Sequence, residues 1–232
     1  MSLVDVHICH LPGENQEWWQ KCQDSLVGHP INVHNVDGIV GDFRRARYNG
    51  FCQGTSPYVS FVDPDDYVLP HTFEKCLEAL EQTDDTVCGV YTQSKTLRLD
   101  KHGRRKFKIV NKYMPWKIEY MKSIDLVHQI IVYKRDILMK MYDKNFDKIP
   151  KMKCTDYAVN CLLAVNYDWH AVDHVGYVWR IHPDGMHHRM NHKDGIYRED
   201  YGSARGLCWN VVDEGVRIRK ESNLQTPPIR YY

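Results

Sequence analysis

The first 90 residues alternate between two hydrophobic periods, and that alternation leaves few folds open. Val4, Val6 and Ile8 repeat every second residue and run into Leu11-Pro12-Gly13, as a strand leaving into a loop does. Trp18, Cys22 and Leu26 then repeat every fourth, one face of a helix. Ile31 to Val36 reads as a second strand, and Gly41-Asp42 stops the loop and caps a helix carrying Arg44, Arg45, Arg47 and Asn49. Tyr58 to Val62 is a buried strand by its aromatic and β-branched content. Pro70 opens a helix with Phe73, Leu77 and Leu80 on one face, and Thr86 to Thr92 is the next strand. This βαβαβαβ order predicts an α/β fold: a Rossmann-like domain whose central sheet is mostly parallel, with helices on both faces.

Beyond residue 92 the rhythm breaks. Thr96-Leu-Arg-Leu and Phe107-Lys-Ile-Val flank Lys101-His-Gly-Arg104 and predict an inserted hairpin. A strand (Gln129 to Tyr133), two helices (Arg135 to Tyr142, Asp156 to Val165) and a strand (Gly176 to Ile181) follow. From His182 on, Gly, His and charge dominate, so residues 186–232 are expected to wrap the domain as a tail. At 232 residues the chain suits one domain, with halves at 1–92 and 93–185. No apolar run approaches the roughly 18 residues that span a bilayer, and the first residues lack a signal-peptide layout, so a cytoplasmic protein is expected. The eight cysteines include no CxxC pair and read as reduced, mostly buried thiols. Nothing indicates an obligate protein partner.

Charge is distributed unevenly. Between Lys95 and Lys122 ten Lys/Arg face only Asp100 and Glu119, a local +8, so the rest of the chain carries −7 of the overall +1. A near-neutral protein thus contains one basic segment in an acidic body, a polarity that bears on its partner.

The stretch richest in chemistry is Tyr58-Val-Ser-Phe-Val-Asp63-Pro64-Asp65-Asp66. Ligands of open α/β sheets bind beyond the carboxyl ends of the strands, where these three carboxylates fall. Crowded carboxylates call for a cation, and hard oxygen donors favour Mg²⁺ or Mn²⁺, which characteristically bridge a protein carboxylate and a diphosphate. An Asp-rich turn with Asp63 or Asp66 as a helix cap is the plainer alternative.

Four segments in order resemble the family-2-like glycosyltransferases of GT-A fold. Phe61-Val-Asp-Pro-Asp-Asp-Tyr-Val is similar to the family's apolar strand ending in DxD or DxDD. Gly41-Asp-Phe-Arg-Arg-Ala-Arg-Tyr-Asn-Gly50 resembles its A-R-N-x-G helix, with Tyr48 inserted. Thr155-Asp156-Tyr157 resembles its E-D dipeptide, with Thr in place of Glu. Tyr177-Val-Trp-Arg-Ile-His182 resembles its late strand ending in R-x-H. The resemblance covers about residues 1–185 and implies an enzyme using a nucleotide-diphospho-sugar. By it, Asp63, Asp65 and His182 hold the Mn²⁺ or Mg²⁺, and Asp63 with Arg44, Arg47 and Asn49 meets the donor. Arg44 and Arg47 forming a solvated helix face is the alternative. Asp156, at a helix start, is the candidate base that deprotonates the acceptor hydroxyl, with inversion at the anomeric carbon; its plain alternative is an N-cap. The run His182 to His192 has no cysteines at zinc-ligand spacing, and His187 or His188 would instead assist His182.

In the basic segment Phe107, Tyr113, Trp116 and Tyr120 interleave with Lys and Arg, a mixture that tracks a phosphate backbone and offers faces for base stacking. Arg104, Arg105, Lys106, Lys108 and Trp116 are therefore the nucleic-acid candidates. Some virus-encoded glycosyltransferases of this type modify hydroxymethylated bases in DNA, so such a base, presented in the cytoplasm of a host cell, is the favoured acceptor. A glycan or small-molecule acceptor, a non-catalytic nucleic-acid-binding protein and a nucleotidyltransferase are the alternatives; no Gly-rich phosphate loop follows the first strand to support the last.

Overall fold

A computed structural model describes residues 2–99, 105–110, 113–122, 126–152, 154–182 and 196–221. The elements run β1 (Val4–His10), α1 (Gln16–Leu26), β2 (Ile31–Asp37), α2 (Phe43–Phe51), β3 (Tyr58–Phe61), β4 (Tyr67–Val68), α3 (Thr72–Leu80), β5 (Val87–Leu99), β6 (Arg105–Val110), β7 (Ile131–Lys134), α4 (Arg135–Asn145), α5 (Thr155–Ala164), β8 (Asp168–Ile181) and α6 (Ile196–Glu221). The strands form one sheet in the order β2-β1-β3-β7-β5-β8-β4, with β6 paired to β5. The longest registers, β1 with β2 and β5 with β8, are parallel; β7, β4 and β6 pair antiparallel with their neighbours. Following these pairings, β1, β2, β3, β5 and β8 all point the same way. Their carboxyl ends therefore share one edge, which sets where a ligand crevice can form.

Period-two alternation sends successive side chains to opposite faces. Val59, Phe61, Ile131 and Tyr133 pack under α2, α4, α5 and α6, while Val6, Val62, Ile130 and Val132 pack under α1 and α3. Local chemistry starts the helices as the sequence suggests. Asn15 caps α1 by accepting from the Trp18 amide at 3.1 Å, and Asp42 caps α2 by accepting from the Arg45 amide at 2.9 Å.

At the end of the sheet away from the crevice lies a buried polar knot. Asp5 accepts from Asn32 Nδ2 at 2.9 Å, the Ser56 amide at 2.9 Å and Arg135 Nη2 at 2.5 Å, and pairs with His34 Nε2 at 3.1 Å. Burial alone would raise its pKa, but the bonds from Asn32, Ser56 and His34 together hold it below the ordinary carboxylate range. His7, 1% exposed, stacks on His34 with centroids 5.1 Å apart, and burial lowers its pKa to about 4. The unfolded chain binds a proton at His7 from about pH 6.5 down, whereas the folded protein waits until about pH 4, so folding loses stability across that window. The expected loss from His7 is about 3 kcal/mol between pH 7 and pH 4. Asp5 adds a further loss below its unfolded pKa of about 3.9. Urea midpoints of wild type and His7→Gln measured across this range check it: the variant should show the flatter slope, and equal slopes would exclude His7 as the source.

One expectation needs correction. The last strand begins at Asp168, eight residues earlier than expected, because its first half pairs with the start of β5. Within the tail, residues 196–221 form the 26-residue helix α6. Cys208 and Val212 are buried on its inner side, Arg219 bonds the Asp168 carboxylate at 2.7 Å, and Lys122 pairs with Asp213 at 2.8 Å. A Cβ at Gly215 would stand 3.2 Å from the Val165 backbone, so this glycine lets α6 close on the end of α5. No helix among the described residues is long and apolar enough to cross a membrane. All eight cysteines are free thiols, with Cys9, Cys22, Cys76, Cys88, Cys161 and Cys208 buried.

Candidate functional site

The loop after β3 carries Asp63, Asp65 and Asp66 to the crevice, and their environments separate them into three roles. Asp66 is 1% exposed and accepts from the Arg180 amide at 2.6 Å and the Tyr177 hydroxyl at 2.8 Å. Burial, then the charges of Asp65 and Asp63, push its pKa well above the carboxylate range. It pins the loop to β8. Arg180 adds a bond to the Asp65 carbonyl, and its guanidinium lies over the Trp18 ring at 4.8 Å and the Tyr67 ring at 5.8 Å.

Asp65 is the carboxylate presented outward. Its Oδ2 meets His182 Nε2 at 2.9 Å, and the side chain is 37% exposed. His182, just past β8, is buried against the edge of Trp18, centroids 4.2 Å apart, and its Nδ1 has no hydrogen-bond partner among the described residues. Asp63 points elsewhere: Oδ1 accepts from Arg47 Nη2 at 2.5 Å and Oδ2 from Gln129 Nε2 at 2.9 Å. The metal triad expected from the sequence is thus not assembled, and among the described residues no group of three His, Cys, Asp or Glu is placed to hold an ion. Asp65 and His182 alone fit one, as an oxygen and a nitrogen donor side by side at the crevice. Mg²⁺ and Mn²⁺ commonly take one or two protein ligands and complete their shells with phosphate oxygens and water.

Across the crevice, Arg47 projects from α2 and is 2% exposed. Besides Asp63 it faces Asp156, with Nε 3.6 Å from Oδ1, and its guanidinium lies on the Phe61 ring at 3.6 Å. Asp156 sits in the first turn of α5 but is not its cap; Cys154 takes that position. Its carboxylate, 38% exposed, turns to Arg47 and the crevice. The plain N-cap alternative therefore does not describe it.

Arg44 and Asn49 are not brought to this site. Arg44 Nη1 donates to the carbonyls of Phe146 at 2.9 Å and Ile149 at 3.2 Å, fastening α2 to the connection between α4 and α5. Asn49, two positions from Arg47, lies on the other side of the helix and is exposed. Gln129 and Tyr177, by contrast, join the site without any sequence signal, since only the sheet order brings β7 and β8 beside the loop after β3. Glu14, in the loop after β1, is half-buried with Oε2 unpartnered. Burial raises its pKa, and the charges of Asp65 and Asp63 act on it in the same direction.

The basic hairpin adjoins the same edge. Arg98 on β5 is in register with Ile181, the residue before His182, and Arg105 is close enough to act on the Tyr67 phenol. Arg105, Lys106 and Lys108 are exposed, and Phe107 is 54% exposed with Lys95 Nζ 5.3 Å from its ring centre. Trp116 is corrected. It is buried in the core with the Arg219 guanidinium 5.2 Å from its ring, and offers no stacking face. Arg104, His187, His188 and His192 lie outside the described residues.

Residues 34–142, from β2 into α4, match the family model described as Glycosyl transferase family 2. The whole chain has the GT-A architecture. It superposes on S. aureus TarS 1-349 in complex with UDP-GlcNAc with a TM-score of 0.58 at 11% identity, over 97% of this chain and 76% of that one. The UDP complex of TarS 1-349 gives 0.57 at 12% identity, over 100% and 76%. A longer crystal structure of S. aureus TarS gives 0.56 at 12% identity over 98% of this chain, which spans only 46% of that protein's length. Likeness at these identities is one of fold. No curated protein matches the sequence.

Proposed function

We propose that the chain is a family 2 glycosyltransferase that moves a sugar from a nucleotide-diphosphate donor to a hydroxyl of the acceptor, with inversion and with help from a divalent cation. The observation that carries the reading is the separate pairing of two carboxylates: Asp65 with His182, and Asp156 with Arg47. The UDP and UDP-GlcNAc complexes of structures sharing this fold support a uridine-diphosphate donor. In the proposed step Asp156 accepts the acceptor's hydroxyl proton as that oxygen bonds to the anomeric carbon. The bond from this carbon to the diphosphate breaks, and its electron pair leaves with the nucleotide. Attack from the face opposite the diphosphate inverts the centre. A Mn²⁺ or Mg²⁺ held by Asp65, His182 and the donor's phosphates would neutralise charge on the leaving group. UDP release from a panel of UDP-sugars with Mn²⁺, measured with and without hydroxymethylated DNA, tests the reading. Release from none of them would remove it.

The proposed acceptor is a hydroxymethylated base in DNA, and the support is the hairpin. Arg98 and Lys106 stand directly opposite each other in the β5–β6 register, a like-charge pairing that costs stability unless an anion covers it. Replacing Arg104, Arg105, Lys106 and Lys108 with Gln is expected to raise the KM for hydroxymethylated DNA. The salt dependence should flatten by about one unit of log–log slope for each DNA phosphate that the variant no longer neutralises. Wild-type behaviour of this variant at every salt concentration would exclude the hairpin as a DNA site. If hydroxymethylated DNA is never modified, a glycan or small-molecule acceptor takes its place.

A further inference from the structure

Arg47 carries more than the donor contact that its motif suggests. It is 2% exposed, yet among the described residues Nε and Nη1 have no hydrogen-bond partner, while Nη2 is engaged on Asp63. A buried guanidinium with idle donors is costly unless its charge is used. Its two flanking carboxylates come from different elements: Asp63 from the end of β3 and Asp156 from the first turn of α5. Gln129 Nε2 fixes the far oxygen of Asp63 at 2.9 Å, and Phe61 supports the guanidinium plane from below at 3.6 Å. Four segments thus converge in a row: Gln129, Asp63, Arg47, Asp156.

We infer that Arg47 is a positioning residue for the proposed base, a planar bridge that uses Asp63 as its anchor to hold the Asp156 carboxylate ionised and aimed into the crevice. The bond to Asp63, at 2.5 Å, is the tight arm. The arm to Asp156, at 3.6 Å, is loose and leaves that carboxylate 38% exposed, so it remains open to an incoming hydroxyl. A lysine could not serve both carboxylates, because a single ammonium lacks the planar fork.

The charge of Asp156 is felt by Arg47 on α2, Cys9 on β1, Tyr133 on β7 and Tyr142 on α4. Burial raises the pKa of the last three and keeps them neutral through the acid range, so of these four groups Arg47 is the charged one. Removing it should make Asp156 easier to protonate.

The inference rests on Asp156 being the base, and the experiment separates the two claims. UDP release from UDP-GlcNAc with Mn²⁺ is followed against pH in wild type, Arg47→Lys, Arg47→Gln, Asp63→Asn and Asp156→Asn. In parallel, ¹³C NMR of the aspartate carboxyls reads the Asp156 midpoint without any turnover, the resonance being assigned by its loss in Asp156→Asn. For Arg47→Gln the expected results are a kcat lowered roughly 10–100-fold, as for loss of other orienting partners, and a donor KM near wild type. The acid limb and the NMR midpoint should move up by about one pH unit. Asp63→Asn should move the midpoint the other way, because it removes a negative charge and leaves Arg47 to Asp156. Arg47→Lys should restore the midpoint better than the rate. A merely structural arginine would lower the folded fraction without moving either midpoint. Unchanged midpoints in both Arg47→Gln and Asp63→Asn overturn the inference, as does a loss confined to donor KM. Wild-type turnover by Asp156→Asn overturns the base assignment on which it rests.

Discussion

Asp156→Asn is expected to lower kcat for sugar transfer by roughly 10²–10⁴-fold, the span that general-base catalysis contributes, while donor affinity stays near wild type. The amide keeps the shape of the carboxylate and removes its capacity to take a proton, so the loss belongs in kcat and not in donor binding. The structure gives a reason to expect a folded variant. Asp156 is not the N-cap of α5, so no cap bond is lost, and the side chain is more than a third exposed. Arg47 keeps its tighter partner, Asp63. Titration of UDP into both proteins, followed by single-turnover transfer, separates binding from chemistry. Weak donor binding with normal single-turnover chemistry would move Asp156 out of the base position and into the donor site.

Legibility of the chain followed the reach of the interactions. Elements whose identity is fixed by local periodicity and caps were readable: β1 to β3 with α1 and α2, and α3, follow the spacing of Val4, Val6 and Ile8, the face of Trp18, Cys22 and Leu26, and the Asp42 cap, while the two-residue β4 (Tyr67–Val68) was not. The hairpin was readable because β5 and β6 are neighbours in sequence. Helix α6 was not, since Gly, His and charge dominate the sequence from His182 on. Its stability comes from packing on α5 and from Arg219 reaching Asp168, both invisible to a local window.

The same limit governed the site. Asp65 stood out as a carboxylate beyond a strand end, and His182 and Asp156 through the order of motifs that resembles the glycosyltransferase family. What the sequence could not separate was Asp63 from Asp65, two carboxylates one residue apart. The difference is made by Gln129, which arrives from the segment just before β7, and by Arg47, which arrives from α2. Nor could it separate Arg44 from Arg47. Three positions apart on one helix, both are buried, but one meets the backbone carbonyls of Phe146 and Ile149 while the other meets the two carboxylates of the crevice. Trp116 shows the reverse error, an aromatic among lysines that serves the core and not a ligand.

Asp65→Ala is expected to reduce UDP release roughly 10²–10³-fold, the cost of removing one strong stabiliser of developing charge, and to abolish its dependence on added Mn²⁺. Removing this side chain should not release the loop. The backbone there is held by the Asp65 carbonyl on Arg180 and by Asp66 on Arg180 and Tyr177, none of which uses the Asp65 carboxylate. A thermal midpoint near that of wild type is therefore expected, and the loss of activity then reads the site itself. Wild type in EDTA should fall to the level of the variant, and EDTA should do nothing further to the variant, because both remove the same contribution. Asp63→Ala supplies the contrast. It should also impair turnover, yet it should leave the Mn²⁺ dependence of the remaining activity unchanged, since Asp63 is engaged by Arg47 and Gln129 and stands apart from the Asp65–His182 pair. If Asp63→Ala and Asp65→Ala both weaken the Mn²⁺ response alike, the cation sits between the two carboxylates and the separation of Asp63 from Asp65 drawn from the hydrogen bonds is wrong. Full activity of wild type in EDTA would instead leave the leaving diphosphate to be neutralised by protein cations, with Arg180 and the basic hairpin beside His182 the nearest source.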